Sequence, residues 1–149
     1  MRGHLLAWPL ALVLILALAG QTARWRARVT AGRLLHRVEM LTMAAASRGS
    51  APRSLLSVNL EALRRAAALD PLEVGVPIAR GTQYLLFGNL EAAREAYEAA
   101  ASLEPRPEIY LNLGRVALAA GRQEEARRWF AESLRLDPQL GAFVPAAMR

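Results

Sequence analysis

Three short strings set the frame of this chain. Leu69-Asp70-Pro71, Leu103-Glu104-Pro105 and Leu136-Asp137-Pro138 stand 34 and 33 residues apart. Between the last two the register is close. Gly81, Leu85, Gly88, Glu91, Ala93, Arg94, Leu103 and Pro105 return 33 residues later as Gly114, Leu118, Gly121, Glu124, Ala126, Arg127, Leu136 and Pro138. Tyr97 returns as Phe130 and Ala100 as Ser133. A period of this length marks a stacked repeat. Gly88 and Gly121 predict the end of a helix of about three turns, and Pro105 and Pro138 predict the stop of the next. Each unit therefore reads helix, tight turn, helix. A lone hairpin of this kind cannot bury its apolar face, so the units must stack.

The residues that recur are similar to those of the tetratricopeptide repeat family, whose pattern runs W-x2-L-G-x2-Y, then A-x3-F, then P. Residues 107–138 supply Tyr110-x2-Leu113-Gly114, Ala126-x3-Phe130 and Pro138. Residues 74–105 supply Gly81-x2-Tyr84, Ala93-x3-Tyr97 and Pro105. Ala117 replaces an aromatic, Arg80 replaces a Leu, and Pro77 stands in the place of the Trp. Pro77 suggests a first helix that starts late, with Pro at its first position. Residues 31–71 look like a degenerate third unit that keeps Leu63, Ala66 and Pro71 in register, with Asn59 where Ala is expected. The resemblance implies that small residues let paired helices approach closely and that the aromatic fills the gap between neighbouring repeats. It also implies a concave groove lined by the first helices, here Ile78, Thr82 and Leu85 from one unit and Leu111, Asn112, Arg115 and Leu118 from the next. It specifies a scaffold and not a reaction.

The beginning of the chain has a different character. All 19 basic side chains are Arg. Residues 1–53 hold eight of them against one acid (Glu39), a net of +7, while residues 54–149 hold eleven against twelve acids, a net of −1. Leu5 to Gly20 is uncharged, and with its flanks the uncharged stretch is Gly3 to Ala23, 21 residues. A spanning helix needs ~20 residues. Trp8 and Trp25 bracket it about 26 Å apart on a helix, near the thickness of the hydrocarbon layer. A transmembrane helix over residues 4–23 is therefore expected. A cleaved signal peptide is the competing reading, with Arg2, the apolar run Leu5–Ala19 and an Ala17-Leu18-Ala19 site. Arg24, Arg26 and Arg28 directly after the run resist translocation and favour an uncleaved anchor.

With Arg33 and Arg37, these arginines place the C-terminal part in the cytoplasm by the positive-inside rule, with a periplasmic placement as the alternative. The expected location is thus a bacterial-type inner (cytoplasmic) membrane, crossed once. Trp8, Arg24, Trp25, Arg26 and Arg28 form the expected membrane interface, and basic residues there attract anionic lipid. An aromatic between arginines also suits nucleic acid, but a flank this short does not build such a surface. From Leu34 the spacing Leu34, Val38, Leu41, Ala45 predicts a helix over about 31–46. The basic helix and linker fill 24–53, and the Ser/Gly/Pro cluster at 47–52 ends the helix.

The sequence holds no constellation for catalysis. Cysteine is absent and His4 and His36 are the two histidines. Disulfides, thiol nucleophiles, Cys-ligated zinc and covalent haem attachment are thereby excluded. His36 and Glu39 share a helix face as an ordinary surface pair. No glycine run resembles a phosphate loop. The expectation is a non-enzyme without cofactor, metal, nucleic acid or small-molecule substrate, whose partners are other proteins, membrane-associated ones in particular, and the bilayer.

The complete expectation is an all-α chain: one N-terminal transmembrane helix, then a short α-solenoid of tetratricopeptide-like hairpins over 54–138, then a tail at 139–149. That tail carries Leu140, Phe143 and Val144 and has no charge before Arg149. It is either a short cap or an apolar docking element. Two functions stay open: a membrane-anchored scaffold that binds or assembles partners, and a fixed accessory subunit of a large membrane complex (respiratory, photosynthetic, secretory or envelope-building).

Overall fold

A computed structural model describes residues 7–48 and 52–149. Its elements are α1 (Ala7–Ser47), α2 (Arg53–Leu69), α3 (Gly75–Leu86), α4 (Leu90–Leu103), α5 (Pro107–Ala119) and α6 (Gln123–Leu136). Two 3-10 turns, Pro138–Phe143 and Ala146–Met148, complete the described part. The helices pair in sequence, α1 with α2, α3 with α4, α5 with α6, and each pair leans on the next. This is the stacked hairpin architecture that the 33–34-residue period demands.

The punctuation works as its chemistry requires. Gly88 and Gly121 have φ of +77° and +75°, a left-handed conformation that costs a residue with a Cβ roughly 1–2 kcal/mol. They turn the chain tightly between the two helices of a hairpin. The Asn89 side chain accepts from the Ala92 N–H at 3.3 Å and so caps α4. Pro107 opens α5 at a position whose N–H would have no helical partner. Helix α3 opens at Gly75, two residues before Pro77, so Pro77 sits inside the first turn and does not lead it.

Three apolar clusters hold the stack together; the first two join one hairpin to its successor and the third joins the last hairpin to the tail. The first contains Ala31, Val38, Leu63, Ala66, Val76 and Ala79, from α1, α2 and α3. Val74, Ala93, Tyr97, Ala100, Ile109, Leu113 and Val116 form the second, from the segment at α3 through α4 to α5. The third joins α5, α6 and the tail through Leu111, Ala117, Ala126, Phe130 and Val144. Ala93 and Ala126, with no exposed surface, lie at the close helix contacts expected of them. The degenerate unit is present as a hairpin: Leu63 and Ala66 are buried as the register predicted. Asn59 takes the position of Ala93 and Ala126 and is also fully buried.

The N-terminal part departs from expectation. The predicted helix at 31–46 is the second half of one continuous α1 of 41 residues. Among the described residues no helix is long and apolar enough to cross a membrane. The transmembrane helix over 4–23 is thereby overturned, together with the single-pass location in a bacterial-type inner membrane, and the positive-inside argument for a cytoplasmic or periplasmic side loses its basis. The physical reason is length. Among the described residues the uncharged stretch of α1 is Ala7 to Ala23, 17 residues or about 26 Å at 1.5 Å each, against the ~30 Å of a hydrocarbon core. Its last turn holds the polar Gln21 and Thr22, and Arg24, Arg26 and Arg28 come directly after it. Residues 4–6 and the Trp8 side chain lie outside the described part. Arg24, Trp25, Arg26 and Arg28 sit exposed on α1. Arg28 Nε stands 3.6 Å from Asp70 Oδ2 and ties α1 to the end of α2.

Candidate interaction groove

Helix α1 packs against α3, and the start of α5 lies close by. Between them is a cavity of about 350 Å³, lined by Val38, Glu39, Thr42 and Met43 of α1, by Gly75, Ile78, Ala79, Thr82 and Gln83 of α3, and by Arg106 and Glu108 at the start of α5. That volume is at the small end of the ~300–1,000 Å³ usual for ligand sites.

The floor is polar and connected. Gln83 Nε2 donates to Thr42 Oγ1 at 2.7 Å, and Asn59 Nδ2 donates to Gln83 Oε1 at 2.9 Å. Thr42 in turn donates to the Val38 carbonyl at 2.7 Å. This chain of bonds runs through α2, α3 and α1 and fixes the first hairpin against the second. Asn59 Oδ1, buried in the same place, has no hydrogen-bond partner. Further along, Thr82 Oγ1 lies 3.1 Å from Tyr97 Oη. Burial raises the Tyr97 phenol above its ordinary value, with the Thr82 contact and the nearby Arg115 charge opposing that rise.

The sequence-predicted groove residues divide. Ile78 and Thr82 line the cavity. Asn112 and Arg115 lie on α5 beyond it, where Arg115 Nη1 donates to Asn112 Oδ1 at 3.1 Å. Leu85 and Leu118 are partly buried against the second and third clusters. Leu111 is 5% exposed and belongs to the third cluster. The α1 residues Val38, Glu39, Thr42 and Met43, and Arg106 and Glu108, were not anticipated. Asn59 in an alanine position was the one available hint that the first hairpin carries a polar face.

The tail is mostly a cap. Val144 is 2% exposed inside the third cluster, with Leu140 and Met148 packed beside it. Phe143 points outward at 59% exposure. Beside the cap, Tyr110 and Trp129 stack with ring centroids 5.8 Å apart, a contact that ties α5 to α6. Among the described residues no three His, Asp or Glu side chains are grouped to hold a metal ion.

The family profile Tetratricopeptide repeat matches residues 78–140. Those residues are similar to tetratricopeptide repeats. The tetratricopeptide stack also resembles the crystal structure of TTC0263, a thermophilic TPR protein of Thermus thermophilus, at 27% identity and a TM-score of 0.67, over 80% of this chain and 63% of that one. A second similar structure is that of the MamA protein, at 26% identity and a TM-score of 0.53, over 62% of this chain and 51% of that one. The chain thus spans less than two thirds of the length of either structure. No protein of curated function matches the sequence.

Proposed function

We propose that this protein is a non-catalytic scaffold that binds other proteins by laying a peptide or helix of the partner along the α1–α3–α5 groove. The observation that carries the reading is the cavity itself. Three first helices from three successive hairpins converge on one concave site with apolar walls and a hydrogen-bonding floor, as a peptide with side chains and amides requires. Ile78 and Thr82 are the central contacts, and Asn112 and Arg115 extend the groove along α5. Phe143 offers a separate apolar contact on the cap. Tetratricopeptide repeats bind proteins in general, and that supports a protein partner over a substrate.

The test is capture of partners on the immobilised full chain, compared with Ile78→Asp and Thr82→Arg. Both variants should lose the partner set that the unaltered chain retains while keeping its helical circular dichroism spectrum, with Ile78→Asp melting lower because Ile78 also packs on the second cluster. A partner set unchanged in both variants would place binding elsewhere on the molecule.

A further inference from the structure

We infer that the cavity at the α1 end of the groove selects a cationic side chain, the arginine or lysine of a segment belonging to a different protein. The inference rests on the groove being the binding site. It follows from how the charges around the cavity are already committed. Two carboxylates line it, Glu39 and Glu108, and one guanidinium, Arg106. Arg106 is engaged elsewhere: its Nη2 is 2.8 Å from Glu104 Oε2, whereas its Nη1 reaches Glu108 Oε1 at 3.9 Å. Among the described residues Glu39 has no ion-pair partner. The cavity therefore carries more negative charge than its own arginine offsets.

The other nearby cations do not correct this. Arg37 lines the separate cleft between α1 and α2. Arg115 donates to Asn112 farther along α5 and does not line the cavity. The walls suit the rest of an arginine or lysine. Val38, Met43, Ile78 and Ala79 are apolar and would cover the methylene stem while the charged head stays at the carboxylates. A planar guanidinium offers five donors to such acceptors and is weakly hydrated, so it loses little on entering. An acidic or phosphorylated segment would instead meet like charge.

The test uses the full chain and three fluorescein-labelled peptides: Ala-Leu-Ala-Arg-Ala-Leu-Ala and its counterparts with Gln or Glu in the central position. Anisotropy titrations should show the Arg peptide binding about tenfold tighter than the Gln peptide. The preference should shrink at raised salt, because the site is partly exposed. The double variant Glu39→Gln/Glu108→Gln should bind the Arg and Gln peptides alike. Glu124→Gln, which alters an exposed pair with Arg127, should keep the parent preference. Equal binding of the Arg and Gln peptides, tighter binding of the Glu peptide, no binding of the Arg peptide, or a preference that survives in the double variant would each overturn the inference. Self-association in sedimentation that disappears in the double variant would also overturn it, by giving the cavity to the arginine arm of a second copy. If Ile78→Asp still abolishes partner capture in any of these cases, the charge selection falls and the groove stands. If Ile78→Asp leaves capture intact, the groove reading itself falls.

Discussion

Gly114 lies directly beneath the ring of Phe130: a Cβ built on Gly114 would stand 2.5 Å from Phe130 Cδ1 and Cε1. Gly81 repeats the relationship one unit earlier, 2.7 Å from Tyr97 Cε1. In both hairpins a missing side chain on the first helix makes room for an aromatic on the second. That pairing sets how closely the two helices approach.

A methyl group at either glycine should therefore cost stability. Tyr97 and Phe130 are fully buried, so they cannot move aside without disturbing the clusters around them. Gly114→Ala and Gly81→Ala should each destabilise by ~1–3 kcal/mol, the usual effect of overpacking a filled core. Gly32 gives the contrast. It lies inside α1 with no atom within 4 Å of a built Cβ, and Gly32→Ala should stabilise by about 0.5–1 kcal/mol through helix propensity. Thermal melts of the three variants give the signs. A lower Tm for Gly32→Ala, or an unchanged one for Gly114→Ala, would contradict the account.

These contacts were legible in the sequence because they are local and repeated. Gly, Ala, aromatic and Pro recur at a fixed spacing, and each has one structural use in a helical hairpin. The groove was legible only where the repeat is regular. Ile78 and Thr82 lie where the register puts them. Leu111 holds the register position of Ile78, yet it is buried because the tail folds back with Val144 and closes over that face. A chain end that covers its neighbour leaves no periodic trace. The α1 face of the groove was missed because the first hairpin lacks the Gly–Gly–Pro punctuation that would have set its register. Glu39 was accordingly read as an ordinary surface partner of His36. The span failed for another reason. An uncharged run near twenty residues has the same composition whether it crosses a bilayer or forms the apolar beginning of a long polar helix.

The cap predicts a division between two adjacent residues. Val144 is buried and Phe143 exposed. Val144→Ala leaves a hole in the third cluster and should cost ~1–3 kcal/mol by lost burial and residual cavity. Phe143→Ser should shift stability by less than about 0.5 kcal/mol, as exposed substitutions do. Urea unfolding measures both. A large loss for Phe143→Ser would mean that the cap is held differently.

Acid should weaken the fold through a few exposed carboxylates. Glu61 accepts from Arg64 Nε and Nη2 and from Arg65 Nε, each at 2.9 Å. These hydrogen bonds hold its carboxyl down at about 2, against an ordinary 4.5. Glu104 and Glu132 are lowered in the same way by Arg106 and Arg135. A carboxyl whose folded value is depressed stabilises fully above its unfolded value and loses that contribution as pH falls through the folded one. The Tm should therefore decline as pH falls from about 4.5 towards about 2, and Glu61→Gln should make that decline shallower. The groups are solvated, so raised salt should reduce the difference between the two proteins. An identical pH profile for Glu61→Gln would remove Glu61 from the explanation.

The buried polar chain gives the sharpest test of how the first hairpin is joined to the repeats. Asn59 occupies the position of Ala93, and Gln83 that of Val116, so the junction of the second and third hairpins solves with two apolar residues what the junction of the first and second solves with two amides. Asn59 Nδ2 and Gln83 Oε1 satisfy one another at 2.9 Å in a site with almost no exposure. Asn59→Ala would strand the Gln83 oxygen, and Gln83→Val would strand the Asn59 amide. Each single change should cost ~1–3 kcal/mol, the penalty of an unpaired buried polar group. The double variant removes both partners together and reproduces the Ala93/Val116 pair of the junction between the second and third hairpins. It also eliminates Asn59 Oδ1, which has no partner to lose. The double variant should accordingly be less destabilised than the sum of the singles by at least about 1 kcal/mol, a coupling of the size found between residues in one hydrogen-bond network. Chemical denaturation of the four proteins closes the cycle. Strict additivity would show that the two amides do not act on one another and that apolar contacts alone fix the first hairpin to the second.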